Sequence, residues 1–462
     1  SMKKRNFKKL SLLLIITLLA GCGSGTGTNG KESTTGEAAA KAEGAADGKI
    51  RKEPVKIVLW GGVPEENGCG DVVAAWNAAN PDVQVEFVRY QNDDTGIAKL
   101  DTALLSGEQI DLFFSYYVNN LEARHSSGIL ENLEPYGAKE FAEEELVGGL
   151  ESCVMIEGSL YALPTMFEPF GLMVNQAMLD EAGITIPDQW TLAEFEEINR
   201  KLTKEDEKKV YGSALFYTYL PMNVPQSVLG ADYLYKAGGT ESNFDHPIFI
   251  ETNRKIKEMM DEGIAMSYDE IFARTLNDSA HAAFLNGEVA MIPYTSWMLR
   301  NVKNLKDYPH DFKTTFVPLP TSDDGMENPY RGIFNGWLSI NSESKYKEEC
   351  WEFIKFWITE GSRTMTLKGG KITAWNKISD EEAIHMTLGE QAATLFDVEA
   401  YKNTAYNPKM KYLVSEYTAA NQELISIYRE ESEKYFLGGL SDEDYINNLK
   451  SRGDKAISGA LN

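Results

Sequence analysis

Beyond residue 50 the spacing of apolar positions changes period again and again. Val55–Trp60 (VKIVLW) is a compact β-rich run that closes on Gly61-Gly62. Asp71–Asn80 (DVVAAWNAAN) carries apolar residues at helical spacing and stops before Pro81. Val83–Val88 alternates as a strand does, Ala98–Leu105 returns to helical spacing and ends at Ser106-Gly107, and Asp111–Phe114 opens another short strand. Strand, helix, strand, helix, strand predicts a parallel α/β sheet. Ligands of such sheets sit beyond the carboxyl ends of the strands. Trp60, closing the first run, and Tyr116 and Tyr117, following the third, therefore mark candidate ligand edges.

The middle of the chain is equally regular. Leu172–Asn175 reads as a strand and Gln176–Ala182 as a short helix stopped by Gly183. Thr191-Leu192-Ala193-Glu194 fits a capping box ahead of an amphipathic helix through Leu202, with Trp190 placed to staple its start. Ser279–Leu285 reads as helix, and Glu288–Ile292 as a strand leading to Tyr294 and Trp297. Glu348–Thr359 crowds Cys350, Trp351, Phe353, Ile354, Phe356 and Trp357 together, which predicts a helix buried on most sides and a core role for Cys350. No fixed-period repeat is visible.

The N-terminal 49 residues follow other rules. Lys3, Lys4, Arg5, Lys8 and Lys9 precede an apolar run from Leu10 to Ala20, the charged and apolar regions of an export signal, too short to span a bilayer comfortably. Ending in Leu19-Ala20-Gly21-Cys22, the run resembles a bacterial lipobox. That resemblance implies cleavage after Gly21, a lipid on Cys22 and anchoring at the outer face of the cell membrane. Residues 23–49 contain no aromatic and no branched aliphatic residue, so they cannot bury enough apolar surface to offset their ordering entropy. A coil of that length spans roughly 30 Å, enough to hold a folded domain clear of a membrane. Gly25–Lys31 fits G-x-x-x-x-G-K, but Glu32 stands where a phosphate loop needs Ser or Thr, and no strand precedes it.

Composition narrows the function classes. The formal charge of −25 becomes −30 without the five basic residues of positions 1–21, a field that opposes binding to nucleic acid or anionic lipid. Cys69, Cys153 and Cys350 form an odd, widely spaced trio with no zinc spacing; a Cys69–Cys153 disulfide and three free thiols are both open. The five histidines (His125, His246, His281, His310, His385) are scattered, and Asp323-Asp324-Gly325 reads as a turn, so no metal and no cofactor is expected.

Ordered blocks then resemble the family 1 extracellular solute-binding proteins of ABC importers, the group that includes maltose-binding proteins. They are VKIVLW…VVAAWNAANPDVQVEFV, KLDTALLSGEQIDLFF, SSGILENLEPY, EGSLYALPTMFEPFGLMVNQAMLDEAGITIPDQWTLAEFEEINRKLT, AAFLNGEVAMIPYTSW, and FVPLP ahead of FNGWLSINSESKYKEECWEFIKFW. Together they cover nearly all of the chain after residue 50. Three positions depart from the family pattern: Val174 replaces a usual Tyr, Ile110-Asp111 a usual Pro-Asp, and Ser296 a usual Gly before the late Trp. None is expected to touch an essential group.

The resemblance implies an α/β fold of the type II periplasmic-binding-protein kind, with two lobes and a ligand cleft between them. Residues 50–166 and 334–377 would form the N-terminal lobe, and 167–333 and 378–462 the C-terminal lobe. Three hinge crossings would join them, near Thr165–Glu168, Gly332–Asn335 and Trp375–Ser379. The cleft would then receive Trp60, Glu65 and Glu66 from the first loop and Tyr116, Tyr117 and Asn119 from the third. Glu168 falls at the family's ligand-contacting carboxylate, and Trp297 at a recurrent sugar-stacking aromatic. Trp337 and Trp375 stand near the second and third crossings.

Aromatic faces suit the apolar C–H faces of pyranose rings, and Glu and Asn suit their hydroxyls. Each candidate also has a plainer reading. Trp60 and Trp337 can be core, Glu65 and Glu66 an ordinary solvated loop, and Asp93 and Asp94 helix caps. Adjacent Tyr116 and Tyr117 cannot both face a cleft in extended geometry. The expected function is a monomeric, membrane-tethered receptor that closes on a carbohydrate, an oligosaccharide, and hands it to a membrane permease without catalysis. Two alternatives stand beside it: the same fold serving a polyamine, chelate or peptide-like solute, and an exported glycoside hydrolase with a carboxylate pair.

Overall fold

A computed structural model describes residues 53–215, 220–276 and 279–462. The expected export signal, Cys22 and the linker lie outside the described residues. Thirteen strands occur among those residues, in three sheets. The first sheet uses β1 (Val55–Gly61), β2 (Val83–Arg89) and β3 (Leu112–Ser115). β1 lies between the other two and runs parallel to both, in register from Val55 opposite Val83 to Gly61 opposite Arg89. Its alternate residues Ile57 and Leu59 are fully buried. The helix Cys69–Ala79 joins β1 to β2 and buries Val72, Val73 and Trp76. Trp76 meets Phe353 and Phe356 of the helix Lys347–Ile358 edge-on, each at 5.3 Å between ring centroids, and its indole N–H donates to the Val83 carbonyl. Asp111 stands in place of the family's usual Pro-Asp second residue and is buried; its carboxylate accepts from the Val58 amide at 2.9 Å and from Ser344 Oγ at 2.7 Å.

β4 (Met166–Pro169) runs through Phe170-Gly171 straight into β5 (Leu172–Asn175). β5 belongs to a second, mixed sheet with β6 (Lys204–Glu205), β7 (Lys209–Ser213), β8 (Val289–Pro293) and β9 (Thr314–Val317), in the order β6-β7-β8-β5-β9. Trp190 is buried beside it against Phe195, its indole N–H donating to the Pro318 carbonyl. The capping box of Thr191 and Glu194 forms as the spacing predicts, and Leu192–Leu202 is helical.

The third sheet lies between those two in connectivity. It pairs β12 (Ile372–Thr373), β4, β10 (Arg331–Asn335) and β13 (Lys411–Leu413) in that order. β10 passes through Gly336 into β11 (Trp337–Ile340), which adds antiparallel to β3 at the edge of the first sheet. Two chain segments, one from β4 and one from β10, thus run directly from this sheet into the other two. Thr165 Oγ1 donates to the Gly336 carbonyl at 2.6 Å and ties the two together.

Where the elements differ from expectation, the cause is local. The first sheet is not wholly parallel, because β11 enters it from β10 rather than across a helix. The second helix begins at Asp94 instead of Ala98, since the Asp93 carboxylate accepts from the Gly96 amide and caps four residues earlier. Cys69, Cys153 and Cys350 are all buried and free, so no disulfide joins Cys69 to Cys153.

At Gly332 the β10 backbone lies close against β4. A Cβ there would lie 2.3 Å from Phe167 Cζ and 2.7 Å from the Glu168 carbonyl oxygen. The ring could swing, but the backbone oxygen could not without parting the strands. Gly332→Ala is expected to cost about 2–3 kcal/mol in urea unfolding. Gly459→Ala, on an open helix face, should change stability by less than about 1 kcal/mol.

Candidate functional site

β4 delivers Glu168 to the middle of the molecule, and the turn after β8 delivers the short 3₁₀ helix Ser296–Met298 to the same place. The Glu168 carboxylate accepts the Ser296 amide at 2.5 Å and the Ser296 hydroxyl at 2.9 Å. Burial raises its pKa above the usual carboxylate range, opposed by the positive charge of Lys371 and by the two Ser296 hydrogen bonds. Ser296 is thus more than a neutral departure from the family's glycine, because its hydroxyl supplies one of the two donors.

The loop Gly369–Lys371 closes the site from a third direction. A Cβ on Gly369 would lie 2.7 Å from the Asn67 carbonyl oxygen, and one on Gly370 would lie 3.6 Å from that of Ser296. At Gly369 the first loop leaves no space for a side chain, while Gly370 is in ordinary contact distance and is favoured by its left-handed φ of 66°. The loop places Lys371 in the wall of a small cavity with Cys69, Tyr116, Thr165 and Thr373, with room for about one water. Burial lowers the pKa of Lys371, with Glu168 opposing and Arg300 adding to the effect. Cys69 sits in the same wall, its thiol pushed up by burial to about 12 and so inert as a nucleophile at neutral pH.

Trp297 is half-buried beside this group. The Arg300 guanidinium lies 5.8 Å from its ring centroid, and His281 meets it edge-on at 5.2 Å. Burial lowers the pKa of Arg300 as well, opposed by the negative charge of Glu66. Arg300, Lys371 and His281 were not singled out from the sequence as ligand residues. None stands in a motif, and only the fold brings Lys371 toward Glu168 and sets His281 and Arg300 against Trp297.

The expected ligand residues divide among several environments. Glu168 and Trp297 stand at adjoining positions, and Tyr116 shares the cavity wall with Lys371. The Tyr116 hydroxyl accepts the Gly62 amide at 2.7 Å, joining the ends of β1 and β3, while Tyr117 faces out at 48% exposure. The backbone therefore turns the two tyrosines apart, as adjacency requires. Glu65 and Glu66 form an exposed turn, and Asn119 is half-buried in the first turn of the helix Val118–Ser126. Trp60 is 5% exposed and Trp337 is 1% exposed; both pack in the core, which corrects their reading as ligand contacts. Trp375 is half-buried, with its indole N–H donating to Glu145 at 2.8 Å and the Arg363 guanidinium 5.7 Å from its ring. Among the described residues no cluster of three or more His, Cys, Asp or Glu could hold a metal ion.

Residues 70–364 match the sequence profile of a family described as bacterial extracellular solute-binding protein. An uncharacterised lipoprotein in the oleD 5′ region of Streptomyces antibioticus is 23% identical over 373 residues, 75% of this chain and 71% of that one. Among solved structures, an ABC substrate-binding protein from Listeria monocytogenes in complex with cycloalternan superposes with a TM-score of 0.72 at 19% identity, over 88% of this chain and 99% of that one. The maltose/maltodextrin-binding domain of Bdellovibrio bacteriovorus bound to maltotriose gives 0.67 at 15% identity, over 87% and 100%. At those identities the likeness is one of fold: α/β, of the periplasmic-binding-protein kind.

His281 provides a test of this geometry. Burial and the nearby Arg300 lower its pKa to about 4 from 6.5. Above pH 6.5 both folded and unfolded chains hold it neutral. As pH falls from 6.5 to 4 the unfolded chain takes up a proton that the folded chain refuses, so stability is lost across that window. His281→Gln should remove about 2–3 kcal/mol of that loss, measured as urea stability at pH 7 and pH 4. Equal slopes for the two proteins would show that His281 is not held neutral.

Proposed function

The chain belongs to the bacterial extracellular solute-binding proteins, and from that premise we propose that it captures an oligosaccharide in a cleft between two lobes and delivers it to a membrane permease. It is a binding receptor of ABC-transport type and not an enzyme. Residues 50–166 with 334–377 form one lobe in this reading, and 167–333 with 378–462 the other. The direct runs of β4 into β5 and of β10 into β11 support the first two crossings.

The observation that carries the carbohydrate reading is the placement of the Glu168 carboxylate on Ser296, the chain neighbour of half-buried Trp297. An aromatic face takes the apolar side of a pyranose, and a carboxylate takes its hydroxyls. The sugars named in the structures of the Listeria and Bdellovibrio proteins, cycloalternan and maltotriose, are consistent with it. Tyr117, Asn119, Glu65 and Glu66 complete the proposed cleft, with Tyr116 buried behind them and its hydroxyl taken by Gly62; Trp375 stands near the third crossing. Closure follows if ligand contacts stabilise the closed arrangement more than the open one. The anchor is the lipid on Cys22, supported by the lipobox-like segment and by the lipoprotein name of the Streptomyces relative.

A thermal-shift screen of residues 50–462 against mono- and oligosaccharides, with polyamines and peptides alongside, tests the substrate class. A true ligand at a hundredfold excess over its Kd should add about 2.7 kcal/mol of apparent stability. Shifts with polyamines or peptides alone would overturn the sugar. With the responding glycan, Trp297→Ala should weaken binding at least ~10-fold by calorimetry, since a stacked ring contributes about 1 kcal/mol or more beyond its buried area. Undiminished binding would remove Trp297 from the site. In the full chain, Cys22→Ala should move the protein from the detergent phase to the aqueous phase on cloud-point extraction; retention in the detergent phase would rule out the lipid anchor.

A further inference from the structure

The cleft proposed above holds two cations that the fold leaves without partners. Four half-buried basic side chains have pKa values lowered by burial: Arg300, Lys303, Arg331 and Lys371. Two are anchored by the protein itself. Lys303 donates to the Thr387 carbonyl at 2.7 Å, and Arg331 to the Asn328 carbonyl at 3.1 Å. Among the described residues, the charged ends of Arg300 and Lys371 form no hydrogen bond and no ion pair; Arg300 lies over Trp297, and Lys371, next to Gly370 at the Ser296 carbonyl, is within electrostatic reach of both Glu168 and Arg300.

A partly desolvated charge without a partner lowers stability, and folded chains normally pair or hydrate it. Neither nearby carboxylate contacts these cations: Glu168, whose charge Lys371 offsets without an ion pair, is hydrogen-bonded to Ser296, and exposed Glu66 makes no ion pair with Arg300. In a chain of formal charge −25, retaining two unpaired cations at one place calls for a ligand-side explanation. Arg presents a planar fork matched to carboxylate, sulfate or phosphate oxygens, and Lys adds a point charge. Arg300 also lies against Trp297, so a sugar ring on the indole would bring its substituents within reach of the guanidinium.

We propose that the ligand is an acidic glycan, whose carboxylate, sulfate or phosphate group is received by Arg300 and Lys371 while the sugar ring stacks on Trp297. This rests on the carbohydrate reading and narrows it. It also explains why the site carries both signs of charge: Glu168 serves hydroxyls, and the cations serve the acid group.

The experiment compares matched glycans by calorimetry on the full soluble chain from residue 50: galactotriose against trigalacturonate, xylotetraose against its glucuronic-acid-substituted form, and sulfated and phosphorylated sugars against their neutral parents. The acid-bearing member of one pair should bind at least ~10-fold more tightly than its parent at low salt, with the preference shrinking as salt rises. The pair that responds identifies the acid group. Arg300→Gln and Lys371→Gln should each reduce that preference at least ~5-fold; Arg300→Gln should do so with the Tm unchanged or higher, because it removes a charge without an ion pair, whereas a structural role for Arg300 would lower the Tm. Equal affinity for neutral and acidic members, unaffected by either variant, would overturn the acidic ligand and leave the carbohydrate reading standing. Binding of no glycan in any pair would overturn both.

Discussion

A carboxylate withdrawn from water must find donors, and the middle of this molecule is arranged around that requirement. Glu168 sits on a strand whose backbone is committed on both sides, to β12 and to β10, so the side chain has no room to retreat. Its donors come from Ser296, 128 positions later in the chain, and its counter-charge from Lys371, on yet another segment. Three stretches of sequence are therefore held in register by one group. The close approach at Gly332 follows from the same constraint, because β10 must lie flat against β4 for Glu168 to keep its position.

Around this group the protein separates structural polarity from functional polarity. Asp111 and Glu431 are buried charges held by several partners: Asp111 by Val58 and Ser344, Glu431 by Arg452 and Asn448. Such groups add specificity to the fold and are quiet toward solutes. Arg300 and Lys371 are built differently: both are half-buried and, among the described residues, neither makes a hydrogen bond or ion pair from its charged end, Lys371 acting on Glu168 only through its charge. The contrast lies within one molecule and one set of conditions, which makes it more informative than the charge of either residue alone.

Much of the architecture was legible from local pattern. The β1–helix–β2 unit, the Thr191–Glu194 capping box, the buried helix around Cys350 and Trp351 and the capping role of Asp93 each depend on residues within a few positions of one another. The family blocks added the overall fold, which periodicity alone could not reach. What local pattern missed is long-range. Trp60 and Trp337 read as ligand aromatics because each ends or begins a strand near an expected edge, but neighbouring elements cover both. Lys371 and Arg300 read as ordinary basic residues because nothing beside them in sequence signals burial. Their roles depend on a loop passing close to Asn67 and Ser296, a geometry set by Gly369 and Gly370 and visible only in three dimensions.

Ser296 shows how the same constraint bears on binding. Where the family pattern has glycine, the backbone amide alone could meet Glu168; here a hydroxyl meets it as well. In the proposed cleft a sugar hydroxyl would therefore meet a carboxylate with two of its roughly four acceptor sites already filled. A further neutral donor there gains little net free energy over the water it displaces. Glu168 then orients the ligand more than it holds it, and the affinity must come from contacts the unliganded protein does not already satisfy. Those are the partly exposed face of Trp297 and the two cations without partners. A ligand can drive closure only through differential contacts, and in this molecule the unsatisfied groups are the ones able to supply them.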